Sequence, residues 1–218
     1  MSEPGWERRL VDRLVADAHP VRRLWSPEVR LVVWLAIAVA VLIAPATRVL
    51  RDDLVLRLRN PAFVLEQGLM LVGAVFLGLE ALRAAVPGQG AGRASTIVGW
   101  GALGLALIWM LREPVHGGWS VDTFLDVGRP CIWRAVAWGA VPWIVLLIAL
   151  RRGAPLARRR AGVLAGAATW ALVCPALRVC CQTDELLHLS VFHALPLVAG
   201  AALSAALAPI LLAESRAR

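Results

Sequence analysis

Long apolar runs separated by short polar segments dominate the pattern of this chain. The few charged residues inside the runs lie near their ends, where a long side chain can reach water. A helix needs about 20 predominantly apolar residues to cross a bilayer, whereas a barrel strand would alternate over about ten. The pattern therefore predicts an all-α polytopic membrane protein, a bundle of six transmembrane helices. The predicted spans are 31–47, 62–86, 94–111, 132–150, 161–177 and 186–213.

The composition agrees with this architecture. Hydrophobic residues make up 59% of the 218 residues and the mean hydropathy is +0.69, against about 45–50% apolar residues in a typical soluble domain. The middle of every predicted span is apolar. A transporter or channel would need polar or charged groups there. A small membrane transporter or channel subunit is therefore an alternative that the pattern disfavours.

The distribution of arginine predicts the orientation. All 23 basic residues are Arg; with the N-terminus inside, fifteen lie in or beside cytoplasmic segments and eight in or beside outer ones. Positive charge near span ends favours the cytoplasmic side. We expect a cytoplasmic arm at 1–28, a transmembrane domain at 29–213 and a cytoplasmic tail at 214–218. The net charge of +8 is then mostly a topology signal, and no direct contact with nucleic acid is predicted.

The arm has the periodicity of an amphipathic helix. Its apolar positions include Trp6, Leu10, Val11 and Leu14, which form one stripe of a helix between Pro4 and Pro20. Such a helix can lie on the lipid bilayer or dock its stripe into a groove of a partner protein. A second candidate for partner or lipid headgroup binding is the basic turn made of Arg151, Arg152, Arg158, Arg159 and Arg160.

Three of the four cysteines fall on the outer side in this orientation. Cys131 starts the fourth span, Cys180 and Cys181 lie between the last two spans, and Cys174 lies within a span. In a diderm bacterium the outer compartment is oxidising. Cys131 could meet one member of the adjacent pair, because the start of the fourth span and the turn between the last two spans lie at the same depth. Two adjacent cysteines bond to each other only with strain, so the other member would be left over. The alternative is that these thiols are small buried hydrophobic residues.

Metal binding and catalysis receive less support. His116, His188 and His193 also lie on the outer side, but the chain has no C-x-x-C motif and no H-x-x-x-H motif. On an α-helix, residues five apart point about 140° away from each other. We therefore expect no stable zinc site, and at most transient capture of a soft metal by Cys131 and Cys181. The missing C-x-x-C also argues against a membrane thiol-disulfide oxidoreductase, the second alternative. No catalytic residue and no cofactor is predicted, so we expect a protein that is not an enzyme.

Several segments resemble the NrsF-type anti-sigma factors. The similar pieces are spread over roughly residues 9 to 205, and their order and spacing fit a six-span plan. They are "LVDRLVADAHPVRRLWSPEVRLVVWLAIA", "RDDLVLRLRNPAFVLE", "AAVPG", "GRPCIWRAV", "ALRRGAPLARRRAGVLAGAA" and "CCQTDELLHLSVFHALP".

The resemblance implies a multi-pass protein of the bacterial inner membrane that holds an extracytoplasmic-function sigma factor inactive. It also implies a pair of periplasmic cysteines needed for the response to toxic metal or oxidative stress. The matching positions are Cys131 in "GRPC" and Cys181, which Asp184 follows by three residues. Cys180 is an additional thiol, and it leaves open which of the two adjacent cysteines acts with Cys131.

Overall fold

The computed structural model describes residues 5–16, 23–86, 88, 92–115 and 118–213. His116 lies outside this part of the chain. The described residues form helices and connecting turns, and six of the helices are long and apolar enough to cross a membrane. The helices are α1 (Gly5–Ala16), α2 (Pro27–Ala46), α3 (Leu54–Leu58), α4 (Pro61–Ala84), α5 (Arg93–Met110), α6 (Val121–Arg151), α7 (Arg158–Arg178), α8 (Leu186–Leu189) and α9 (Leu195–Leu211). A π turn, Ser190–Ala194, joins α8 and α9 into one span, Leu186–Leu211. The prediction of an all-α bundle with six membrane-spanning helices is confirmed.

Side-chain caps fix where several spans begin. Ser26 accepts a hydrogen bond from the amide of Val29 at the start of α2, and Asn60 accepts one from Ala62 at the start of α4. Each of these two helices has a proline in its first turn, where the missing N–H is not needed. Ser120 caps α6 through the amide of Thr123. α6 therefore begins at Val121, well before the predicted span at 132–150. The prediction missed the first turns of this helix because they contain charged residues.

α7 is the central helix of the bundle. In its apolar stretch 78% of the residues are buried inside the protein, against 28–39% in the other five spans. Its sequence is rich in Gly and Ala, which allows neighbouring backbones to approach closely where no hydrophobic effect drives helix association. A Cβ at Gly166 would lie 2.7 Å from the Cα of Ala201 on α9. α7 is thus the surface against which α4, α6 and α9 pack.

The loops gather at two ends of the bundle. At one end the amide of Arg51 donates to the carbonyl of Val179 (3.0 Å), and that of Leu186 donates to Pro114 (3.2 Å). We call this end, with its described loop residues 47–60, 111–115, 118–120 and 179–185, the thiol end. At the other, the arm end, Arg83 pairs with Glu28 at 3.2 Å.

α1 stands apart from the core of the bundle. None of its residues is buried. Its apolar stripe is open, with Leu14 63% exposed and Leu10 50% exposed. The helix predicted between Pro4 and Pro20 is present, and its apolar face lacks a covering among the described residues.

A candidate thiol–imidazole site

Two cysteines meet at the thiol end. Cys131 lies on α6, where its apolar part begins, and Cys181 lies in the loop that follows α7. Their sulfur atoms are 3.7 Å apart, and each residue is only 4% exposed. A disulfide would require these atoms to approach to about 2.05 Å. The two thiols are thus free, buried and in contact.

Two histidines complete the cluster. His188 Nε2 lies 3.2 Å from the sulfur of Cys181 and 3.7 Å from that of Cys131. The ring of His193 lies 5.6 Å from the ring of His188, centre to centre. One ligand atom from each of the four residues lies within 4.8 Å of the others. We call these four residues, Cys131, Cys181, His188 and His193, the thiol–imidazole cluster.

The expectation that His188 and His193 point apart is wrong. It assumed a regular α-helix, but the chain forms a π turn at Ser190–Ala194. A π turn closes its hydrogen bond between residues five apart instead of four, so it brings such residues onto one side. No local signal in "LHLSVFHAL" marks this change of period, which is why sequence reasoning set both histidines aside as metal ligands.

Aromatic rings form an apolar wall beside the cluster. Phe192 packs against His188 and against Phe124 of α6, with ring centres 5.0 and 4.9 Å apart. Gly128 makes room for it, because a Cβ there would lie 1.9 Å from the Phe192 ring. A polar cluster in such a setting is poorly hydrated, which strengthens electrostatic interactions within it.

A network of ion pairs holds the loop of Cys181 in place. The carboxylate of Asp184 contacts Arg51 and Arg57, each at 2.5 Å, and also Arg178. Arg51 in turn pairs with Asp53. The loop between α7 and α8 is therefore tied to the loop between α2 and α3, and Cys181 sits in a segment with little freedom to move.

Arg178 carries this network into the bundle. It is fully buried and donates to both carboxylate oxygens of Glu66 on α4, at 2.8 and 3.2 Å. Sequence reasoning placed the charged residues of the apolar runs near the span ends but did not find this pair, since 112 residues separate its members. By contrast, the pair of Glu80 and Arg83, three residues apart, could be read from the sequence and is present at 3.0 Å.

The surroundings of the loop shift its acid–base behaviour. A hydrogen bond from the Cys131 thiol lowers the pKa of Cys181 below the usual range; burial opposes this and the His188 bond adds to it. Burial works to raise the pKa of Asp184, but the arginines, led by Arg51, outweigh it and lower the pKa. Burial raises the pKa of the Cys180 thiol. The geometry thus favours a thiolate at Cys181 over one at its neighbour.

The other two cysteines point elsewhere. The thiol of Cys180 faces the carbonyl of Ala46 at the end of α2, at 3.6 Å. Cys174 is buried within α7 among the core residues. Of the adjacent pair, it is Cys181 that faces Cys131.

A pocket gives access to the two facing thiols. It has a volume of about 350 Å³ and lies at the thiol end. Its lining includes the three cysteines of this end, Arg134, Gln182 and Thr183. A small solute or ion could therefore reach Cys131 and Cys181 without the bundle opening.

The predicted partner-binding residues lie outside the thiol–imidazole cluster. Trp6, Leu10, Val11 and Leu14 are exposed on α1. The basic turn follows α6 and begins α7, with Arg151, Arg152, Arg159 and Arg160 exposed and Arg158 half-buried. Neither group contributes to the thiol–imidazole cluster, and the length of α6 and α7 separates the basic turn from it.

One comparison with known proteins identifies the family. A family model described as "NrsF: Negative regulator of sigma F" matches residues 14–213. No curated protein and no solved structure matches the chain. Regulators of this kind are generally not enzymes, which agrees with the lack of a catalytic signature in the sequence. Since the match spans nearly the whole chain, the protein belongs to the NrsF family. It is a membrane protein that acts as a negative regulator of a sigma factor.

Proposed function

We propose that this protein is an anti-sigma factor of the bacterial inner membrane that sequesters an extracytoplasmic-function sigma factor on the cytoplasmic side. It releases that partner when Cys131 and Cys181, on the periplasmic side, sense toxic metal or oxidative stress. The observation that carries the proposal is the contact between these two thiols, 3.7 Å apart, at the end of the bundle opposite the basic turn.

The partner-binding surface combines α1 with the basic turn. α1 presents an apolar stripe that nothing in the described bundle covers, with Trp6 58% exposed and Val11 55% exposed. Such a stripe fits the helix-in-groove mode of recognition. The basic turn adds exposed positive charge, which favours an acidic surface on the partner.

Two helices connect the sensor to this surface. α6 carries Cys131 near one end and finishes at Arg151, while α7 starts at Arg158 and finishes just before Cys181. A change in the separation of the two thiols would shift α6 relative to α7. Because the basic turn joins these helices, the shift reaches it directly. Such coupling requires that the two thiol states differ in affinity for the sigma factor.

A retention assay tests the partner surface. The full chain, tagged and expressed in membranes of a bacterium that has the cognate sigma factor, should retain that factor in a pull-down. Leu10→Asp with Leu14→Asp should abolish retention, because both changes place carboxylates in the apolar stripe. Ala16→Asp is the matched control; it adds a carboxylate to the opposite face of α1 and should retain the partner. Loss of retention in neither variant, or equally in both, contradicts the proposed surface.

The same assay tests the sensor. After cadmium or an oxidant is added, the wild-type protein should lose its sigma factor, whereas Cys131→Ser and Cys181→Ser should hold it. Cys180→Ser is the matched control, since its thiol faces Ala46, and it should respond as the wild type does. Normal release by Cys131→Ser and Cys181→Ser would remove the sensor from the proposal and leave the anti-sigma role intact.

A further inference from the structure

The thiol–imidazole cluster has the donor set of a closed metal site. Two thiolate sulfurs and two imidazole nitrogens are the ligands of tetrahedral structural zinc sites. Here the four side chains come from α6, the α7–α8 loop, α8 and the π turn. We propose that Cys131, Cys181, His188 and His193 bind one Zn²⁺ ion, or a softer divalent ion of the same preference such as Cd²⁺, through all four side chains.

The distances fit this geometry. With bond lengths of about 2.3 Å to sulfur and 2.0–2.1 Å to nitrogen, a tetrahedral site separates its two sulfurs by about 3.8 Å and sulfur from nitrogen by about 3.6 Å. The observed separations are 3.7 Å between the sulfurs, and 3.7 and 3.2 Å from the sulfurs to His188 Nε2. Three of the four ligand atoms are therefore already close to the required positions. The ligand atom of the fourth residue, His193, lies within 4.8 Å of the others and would move closer to them on binding the ion.

The buried imidazole of His193 is a second, independent observation. The residue is 1% exposed, yet among the described residues neither of its ring nitrogens has a hydrogen-bond partner. Nδ1 of His188 is unpartnered in the same way. Buried polar groups are nearly always paired, and an exception calls for an unseen partner such as an ion. A metal ion between the sulfurs and the two rings supplies one to His193.

The π turn serves this arrangement. A regular α-helix would send His188 and His193 to different faces. The π turn has a less favourable backbone geometry than an α-helix, but it places the centres of the two rings 5.6 Å apart. π turns occur frequently at functional sites. Here the turn delivers a fourth ligand beside the apolar wall formed by Phe192.

The ligand set also determines which metal ions the site favours. Four protein ligands leave no open position, which is typical of structural rather than catalytic zinc sites. Thiolate and imidazole ligands in tetrahedral arrangement disfavour Mg²⁺ and Ca²⁺, which take oxygen ligands. Metal binding would fasten α6, the α7–α8 loop and the last span to one point. The inference deepens the proposed sensing role of Cys131 and Cys181, and it adds the two histidines as ligands.

Direct titration of the purified full chain tests the site. In detergent under reducing conditions, Co²⁺ should bind one ion per chain and give the absorption of a tetrahedral thiolate complex, which Zn²⁺ then displaces. His193→Ala and His188→Ala should each weaken binding by about tenfold or more, as changes around metal ligands typically do. Cys174→Ser, which alters a thiol within α7, is the matched control and should bind as the wild type. Absence of Co²⁺ and Zn²⁺ binding in the wild type, or unchanged affinity in both histidine variants, would overturn the proposal.

Alkylation of the wild-type protein supplies a test without substitutions. Zn²⁺ should protect Cys131 and Cys181 from iodoacetamide and leave the labelling of Cys174 unchanged. Protection that extends equally to Cys174, or no protection, contradicts the site. Neither measurement involves a sigma factor, so a failed retention assay leaves this inference standing. Likewise, a protein that binds no metal can still retain its partner.

Discussion

At the scale of single residues, Arg178 and Glu66 form a buried ion pair inside the bundle. Both side chains lie almost wholly inside the protein, where an unpaired charge is expensive. The same arginine contacts Asp184 in the loop of Cys181. The pair therefore links the core of α4 and α7 to the position of the candidate sensor.

Arg178→Gln should strongly destabilise the protein. The substitution leaves Glu66 without its counter-charge, and breaking a buried pair from one side costs about 3–5 kcal/mol. Thermal unfolding of the purified protein in detergent measures the effect. The double variant Glu66→Gln with Arg178→Gln should regain part of the lost stability, since no lone charge remains at this pair.

Arg129→Gln is the matched control for this experiment. Arg129 pairs with Asp126 at 3.2 Å, but both side chains are about two-thirds exposed. Exposed pairs contribute about 0–1 kcal/mol, so this variant should unfold close to the wild-type temperature. If Arg178→Gln unfolds there too, the buried network does not stabilise the thiol end.

At the scale of helices, close packing of α7 on α9 organises the bundle. Gly162 and Gly166 are four residues apart on α7 and face a row of small residues on α9. A Cβ at Gly162 would lie 2.6 Å from the carbonyl oxygen of Ser204, and one at Gly166 would lie 2.8 Å from that of Gly200. This small-residue spacing is the arrangement that lets membrane helices approach closely.

Gly166→Leu should separate α7 from α9. The leucine side chain would meet backbone atoms, which cannot rotate away. We therefore expect the free energy of unfolding to fall by at least the roughly 1–3 kcal/mol that is typical of overpacked cores. The measurement is thermal unfolding in detergent together with the amount of folded protein in the membrane. Gly101→Leu is the control, because a Cβ at Gly101 meets nothing within 4 Å. Equal stability of the two variants would mean that the α7–α9 contact is not tight in the membrane.

At the scale of the whole molecule, six spans place the thiol end and the arm end on opposite sides of a membrane. The excess of arginine at the arm end, with the basic turn as its densest part, predicts that this end is cytoplasmic. The proposed mechanism depends on that orientation, since it requires the sigma factor to bind at the cytoplasmic end and the stress to act at the opposite end.

Reporter fusions measure the orientation. Alkaline phosphatase, which folds only outside the cytoplasm, should be active when fused after Glu113 at the thiol end. It should be inactive when fused after Arg152 in the basic turn, which serves as the control. A green fluorescent protein fused after Ala213 should fluoresce. The reverse pattern at the first two positions would place the thiols in the cytoplasm and remove the basis for periplasmic sensing.

The sequence by itself determined the number of spans, the amphipathic arm and the family resemblance. These follow from properties that add up along the chain: a bilayer demands long apolar runs, and a helix repeats its face at a fixed period. The pair of Glu80 and Arg83 could be predicted for the same reason, because the two residues lie three apart on one helix.

Only the tertiary structure decided what the cluster contains. The resemblance named Cys131 and Cys181, but the contact between their sulfurs depends on how the α7–α8 loop is tied to Arg51 and Arg178. The approach of His193 depends on a π turn that breaks the helical period on which sequence reasoning relies. Side-chain direction at helix ends and loops is set by contacts between residues far apart in the chain, and no local pattern records those contacts.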